Sequence, residues 1–463
     1  SLTVLFLPFR IPTSALLAAL LFLSGCDAVF GSKDDLITDE ILEEGQTDPT
    51  LVDEVGYVPL TPFFTQGVNG PFENPSDVYV GYDEFVYVAD DRGLHVLDLA
   101  GRPQFLLDQV EGQPLRDITA VTQGRDLDVF IAARRDTTVA GATCPSSGGG
   151  EQCDLAVVYR IGGLTTGAPI VKAKIWHPFS DASRALSGQF DEPDVYERQD
   201  GGTVVGTFSD EDAVFTGVAT LADGRFYITR RGPVNTLTRN GTGEGRPNLS
   251  FSPFNALLTF NAEGDYEQFI FALSPSQPGL LSAYYPSDVL TFLGPPQDFD
   301  EPLDRNFLIA QSPVEAPDSP QQPLRYGVVS ILVVETSDGI EYRVDTERFA
   351  AGAAPDTPGG LYDDFQFGAP TSLAFAADAT RYLFVADAAQ DSLFVFNATG
   401  VEGVAPPPGE TDPTPIRVSF GGTGGGALQF RNPQGVAYYD RIVYVADTGN
   451  GRISRYRLNT DFE

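Results

Sequence analysis

The chain has 463 residues, enough for one large or two ordinary domains. It carries 64 acidic against 29 basic residues, a net charge of −35, with lysine only at positions 33, 172 and 174. Such a surface repels nucleic acid and anionic lipid headgroups, so a phosphate-backbone partner is excluded.

At the N-terminus Arg10 precedes the apolar stretch "ALLAALLFL", residues 15–23, which runs into "LSGC", Leu23 to Cys26. A basic residue, a short apolar core and a small-residue cleavage site describe a secretory signal over residues 1–25. The apolar core is too short to span a bilayer, which needs about 20 residues. The "LSGC" ending resembles the lipobox of bacterial lipoproteins, and that resemblance implies acylation of Cys26. Residues 26–55 follow as the lipidated cysteine and an acidic, poorly patterned tether. The acidity and scarcity of lysine resemble proteins of halophilic organisms, where salt screens self-repulsion within about 3 Å at 1 M. Acidic clusters are therefore expected to be solvated charge unless their spacing says otherwise.

From residue 56 the chain is all β. "GYVPLTPFFTQ", residues 56–66, is a lone strand candidate. A three-strand unit then recurs six times. Its entry strands begin "PSDVY" at Pro75, "LRDIT" at Leu115, "FTGVA" at Phe215, "PSDVL" at Pro286, "PTSLA" at Pro370 and "PQGVA" at Pro433. The second strands are "FVYVAD", "DVFIAA", "RFYITR", "NFLIAQ", "YLFVAD" and "IVYVAD". The third are "GLHVLDL", "LAVVYRI", "ALLTFNA", "VSILVVE", "SLFVFNA" and "RISRYRL". The second strands are apolar at nearly every position, which suits a sheet covered on both faces, as in a propeller blade. The last unit runs out of chain after three strands, so residues 56–66 are expected to supply its outermost strand and remove an exposed edge. Pro59 and Pro62 are tolerable only on such an edge. Loops have grown at 134–154 and 178–211, and the second is long enough to hide a seventh blade. Cys144 and Cys153 flank "PSSGGGEQ" and are expected to close that flexible loop as a disulfide outside the cytoplasm.

The segment "SFGGTGGGALQFRNPQGVAYYDRIVYVADTGNGRISRY" is similar to an NHL repeat, in its glycine-rich approach, its Pro-x-Gly-Val-Ala entry and its "VYVADTGN" strand and turn. The copies starting at Pro75 and Pro370 match well and the others weakly, together covering about residues 56–458. The resemblance implies a six-bladed β-propeller over residues 56–463, in agreement with the count of repeats. It implies little about function, since propellers host binding modules and enzymes alike.

Aligned entry positions hold Asp77, Asp117, Gly217, Asp288, Ser372 and Gly435, each preceded by Ser76, Arg116, Thr216, Ser287, Thr371 or Gln434. Three carboxylates on a closed ring suggest a hard cation such as Ca²⁺, which takes six to eight oxygens. The competing reading is that each aspartate caps its own turn. The second strands end in Asp90, Ala133, Arg230, Gln311, Asp387 and Asp447, and these aspartates are expected to bond turn amides. Arg230 and Arg231 depart from the pattern; they suit a carboxylate or phosphate ligand, or local acids. Some NHL-like propellers are lyases with zinc held by several histidines. Here only His95 and His177 occur, too few for a three-histidine site, and His95 is expected to be a packed strand residue. Nor can the metal ligands of the six-bladed gluconolactonase group be placed residue by residue. No Ser/His/Asp grouping or phosphate loop is present. The acidic loops "DEDAV" (210–214) and "DFDEPLD" (298–304) lack calcium-hand spacing and are expected to be solvated.

Taken together, these features suggest a binding propeller on the outside of a bacterial membrane, held through its lipid and recognising a protein or glycan at one mouth. Asp77, Arg116, Asp117, Arg230 and Asp288 are the expected mouth residues. The alternatives are a metal-dependent hydrolase or lyase of a small substrate such as a lactone, and a purely structural envelope component.

Overall fold

A computed structural model describes residues 54–177, 195–200, 203–232, 238–239, 256–270, 285–295, 305–313, 324–345, 348–349, 359–407 and 414–462. These belong to one compact unit, Val52–Glu463. The expected signal segment, Cys26 and all of the tether except residues 54 and 55 lie outside the described residues. Among the described residues there is no α-helix, and none long and apolar enough to cross a membrane.

Six four-stranded antiparallel sheets form the blades of a propeller. From the inside outward, blade 1 comprises Asp77–Val80, Phe85–Asp90, Gly93–Asp98 and Pro103–Leu107. Blade 2 has Arg116–Gln123, Val129–Thr138, Gln152–Gly162 and Ile170–Trp176; blade 3 has Val214–Thr220, Phe226–Arg231, Ala256–Phe260 and Tyr266–Phe269. Blade 4 has Pro286–Thr291, Phe307–Gln311, Val328–Thr336 and Gly339–Val344; blade 5 has Pro370–Phe375, Leu383–Asp387, Ser392–Phe396 and Phe420–Gly421. In blade 6 the strands Pro433–Tyr439, Ile442–Asp447 and Arg452–Leu458 are completed by Tyr57–Pro59. Tyr57 pairs with Leu458 and Pro59 with Tyr456, so the two chain ends close the ring and Pro59 sits on an outer edge as expected.

The apolar second strands explain the stacking. Successive side chains of a strand point to opposite faces, and here both faces are buried against a neighbouring blade. Val86 and Val88 join the cluster between blades 6 and 1, while Tyr87 and Ala89 join that between blades 1 and 2. The pattern repeats around the ring: Phe130 and Ala132 meet Phe226 and Ile228, Tyr227 meets Phe307 and Ile309, and Leu308 and Ala310 meet Leu383 and Val385. Phe384 and Ala386 meet Val443 and Val445, and Tyr444 and Ala446 return to blade 1. Six apolar seams therefore carry the core.

Two expectations need correction. The loop expected at 134–154 is shorter, because the paired strands of blade 2 extend to Thr138 and resume at Gln152. The insert at 178–211 does not add a blade: its described strands, Val195–Asp200 and Thr203–Ser209, form a separate small sheet with Thr238–Arg239. The innermost strands of blades 2 and 3 adjoin directly, which leaves no place between them in the ring.

Candidate functional site

The entry strands begin at one mouth of the channel, and there a ring of hydroxyls ties each blade to the next. Ser76 donates to the carbonyl of Ile118, Thr119 to Phe215, Thr216 to Pro286, Ser287 to Pro370 and Thr371 to Pro433, at 2.5–2.9 Å. Blade 6 has Gln434 at this position, and Thr448 from the adjacent turn closes the circle by donating to Pro75 at 2.6 Å. Small β-hydroxyl side chains reach a backbone carbonyl without leaving their own strand, which is why Ser and Thr recur here.

This ring corrects the alignment of blade 2. The residue equivalent to Ser76 is Thr119, and that equivalent to Asp77 is Ala120, which pairs with Ala132 as Asp77 pairs with Ala89. A register shift between Arg116 and Ala120, with Asp117 in the left-handed region at φ 49°, inserts the extra residues. Asp117 is therefore exposed beyond the channel entry, bound to Arg116 at 2.6 Å. Arg116 also binds Asp136 and Asp154, each at 2.8 Å; although burial alone would lower its pKa, these bonds raise it above the usual arginine value. The expected three-carboxylate ring is reduced to two, Asp77 and Asp288, on blades that face each other across the channel. Among the described residues no group of three or more His, Cys, Asp or Glu side chains could hold a metal ion.

Asp77 and Asp288 are built alike. Asp77 accepts the N–H of Val78 at 2.9 Å and, from the next blade, that of Val121 at 2.8 Å. Asp288 accepts from Val289 and from Leu373 of the next blade, both at 2.8 Å. Each leans on a glycine of the preceding blade: a Cβ on Gly435 would lie 2.6 Å from Asp77 Oδ1, and one on Gly217 would lie 2.7 Å from Asp288 Oδ1. Ser372 makes the corresponding contact by accepting the N–H of Val436 at 3.1 Å. The turn-cap reading thus holds for these aspartates, with a second bond across the seam. Although partly accessible along the channel, both are surrounded closely enough that burial raises their pKa, that of Asp288 to about 7; the charge of Asp288 raises Asp77 further.

The second-strand aspartates are likewise engaged. Asp90 accepts from Glu73 and Arg92 amides and lies 2.9 Å from His95 Nε2; burial pushes it up, but these bonds hold its pKa below the usual value. His95 accepts from Val68 through Nδ1 and packs edge-on against Phe72, the expected packed histidine. Asp387 accepts from the amides of Gly368, Ala369, Ala389 and Gln390, and Asp447 from Arg431, Asn450 and Arg452.

Of the acids in the loop "DEDAV", only Asp212 is exposed as expected. Asp210 and Glu211 are buried. Asp210 lies 3.1 Å from His177 Nε2, and Arg230 lies 3.2 Å from His177 Nδ1. A guanidinium only donates, so Nδ1 accepts and Nε2 carries the proton given to Asp210; burial lowers the pKa of His177. Arg230 is consequently held in a buried chain. Glu211 accepts from Ser146 N, Ser146 Oγ and Asp154 N, pinning the 144–153 loop. In that loop Cys144 and Cys153 are joined by a disulfide with Cα atoms 5.2 Å apart, and Pro145–Ser147 makes a 3₁₀ turn. Nothing in the local pattern of "DEDAV" separates a buried anchor from a solvated loop; only the distant partners do. The loop 298–304 lies outside the described residues.

No protein-family model matches the chain, and no curated protein does. Among solved structures it is similar to an auxiliary nutrient binding protein from Bacteroides thetaiotaomicron, with 8% identity over 84% of this chain and 70% of that one, at a TM-score of 0.43. An auxiliary nutrient binding protein from Bacteroides ovatus gives 10% identity over 88% of this chain and 77% of that one, with a TM-score of 0.43. A streptogramin B lyase gives 12% identity over 87% and 98%, with a TM-score of 0.39. Likeness at this level assigns no activity.

Proposed function

We propose that the chain is an extracytoplasmic, lipid-anchored propeller of NHL type that binds a protein or glycan partner at a bacterial cell envelope. The observation that supports this most is how the repeat acids are used. Asp77, Asp288, Asp90, Asp387 and Asp447 all spend carboxylate oxygens on backbone amides, and two of them clasp neighbouring blades. Acids committed in this way serve a rigid scaffold rather than the reacting centre of a hydrolase or lyase. A rigid ring then presents the loops at its mouth, a concave surface of the kind that ligands favour. The "LSGC" segment supports acylation at Cys26 and an acidic tether as the means of holding that surface off the membrane.

The test is to express the full chain and its Cys26→Ser variant in a bacterial host. The native chain should carry an acyl mass on Cys26 and sediment with membranes, and the variant should not. The purified native chain, probed on an array of envelope glycans and peptides in strong salt, should bind a defined subset. Equal membrane association of both forms would refute the anchor. Divalent-ion-dependent turnover of a lactone, with no array binding, would replace this reading with the enzymatic one.

A further inference from the structure

Two arginines stand at equivalent places on neighbouring blades, one residue beyond the second-strand end position. Arg134 pairs with Arg116 in blade 2, and Arg231 pairs with Val214 in blade 3. Their surroundings differ completely. Arg134 donates to Asp154 Oδ2 and to the carbonyls of Asp154, Glu211 and Ala213, at 2.6–3.1 Å. The side chain of Arg231, half-buried, makes no hydrogen bond or ion pair with any of the described residues. Other arginines of the ring reach a carboxylate, as Arg92, Arg160 and Arg452 do. Arg455 has none, but it donates to two backbone carbonyls and lies over the Phe64 ring. In a chain with 64 acidic residues, a half-buried cation that no described residue neutralises is an exception that points to an outside partner.

Strand alternation says where Arg231 points. Phe226 and Ile228 pack towards blade 2, and Arg230 follows them to His177. Tyr227 packs towards blade 4, so Arg231 falls on that face. At the same level in blade 4 the Ser312 amide donates to the Tyr285 carbonyl, and the Ser312 hydroxyl donates to Pro370 of blade 5. Burial lowers the pKa of Arg231, and no charge among the described residues offsets it.

We propose that Arg231 receives an anionic group, a carboxylate, sulfate or phosphate, of a ligand seated at the mouth between blades 3 and 4. The fork of a guanidinium matches such groups with paired bonds. The net charge of −35 repels polyanions, so the ligand carries a single anionic group on an otherwise uncharged body. This inference rests on the binding reading above and names the chemistry the site recognises.

The experiment follows thermal unfolding of the full chain and of Arg231→Gln and Arg231→Lys, at ionic strength fixed with sodium chloride. Sodium glucuronate, inorganic sulfate and inorganic phosphate are titrated separately, so that the arms distinguish a sugar acid from the two tetrahedral anions. At least one should raise the native melting temperature saturably, by about 2 °C at tenfold its Kd. The shift should vanish in Arg231→Gln and be weakened in Arg231→Lys, and Arg231→Gln should melt no lower than the native chain without added anion. An equal shift in Arg231→Gln, or no saturable shift with any of the three, would overturn the proposal. A shift specific to Arg231 without binding on the envelope array would retain the anion site and discard the partner class.

Discussion

Asp288 shows how a single side chain carries the geometry of the ring. Its two oxygens bond amides of blades 4 and 5, and its pKa is raised to about 7, chiefly by burial. An acid whose pKa is higher folded than unfolded binds its proton more tightly in the fold. Its contribution is complete below the unfolded pKa, near 4, and is lost as pH rises through about 7. Stability should therefore fall between pH 5 and pH 8 in the native chain and fall less in Asp288→Asn, by roughly 1–3 kcal/mol after discounting for solvent reaching the channel. Urea unfolding at the two pH values measures it; parallel slopes would show that Asp288 does not titrate in this window. Gly217 is the complementary case. A Cβ there meets Asp288 Oδ1 and the Val289 nitrogen, both at 2.7 Å, so Gly217→Ala should cost about 1–3 kcal/mol. An unchanged urea midpoint would mean that the blades part at no cost. Neither role was legible in the residue types alone: "PSD" and "FTG" show an acid and a glycine at aligned positions, but that they belong to one clasp depends on which blades adjoin.

Elements were the legible scale. All eighteen repeat strands read from the pattern occur in the blades, because continuous apolar runs such as "IVYVAD" can be satisfied only between two covering sheets. Blade 2 was misaligned for a physical reason. Its entry holds a longer bulge than the other entry strands, and the extra residues change register without changing composition, so "LRDIT" mimics "PSDVY" three residues too early. The strength of the seams is testable at Phe384, fully buried between blades 5 and 6, stacked on Tyr438 at 5.4 Å and edge-on to Tyr57 at 6.1 Å. Phe384→Ala should cost about 3–5 kcal/mol, whereas Leu127→Ala, at a position 45% exposed, should change stability by less than about 0.5 kcal/mol. Comparable losses at the two sites in chemical denaturation would contradict the seam account. The disulfide between Cys144 and Cys153, with a sequence separation of 9, should contribute about 2–3 kcal/mol by restricting the unfolded chain. Urea unfolding of the oxidised native chain, compared with the Cys144→Ser/Cys153→Ser variant, measures that contribution.

At the scale of the molecule, closure is where the account joins sequence to function. The strand Tyr57–Pro59 completes blade 6, six apolar seams carry the core, and a circle of hydroxyls and carboxylates ties the entry strands together. The repeat and the closing strand were readable because they depend on local pattern. The buried Asp210–His177–Arg230 chain, and an Arg231 guanidinium without a partner among the described residues, were not, because they depend on which distant segments meet. The proposed function requires that the channel acids hold the scaffold rather than a channel metal. The most direct measurement is thermal unfolding of the full chain at fixed ionic strength, in excess chelator and with added Ca²⁺, Mn²⁺ or Zn²⁺. The account predicts the same melting temperature throughout. A saturable rise with one ion, lost in Asp77→Asn or Asp288→Asn, would contradict it; at 100 times its Kd such an ion would stabilise the fold by about 2.7 kcal/mol.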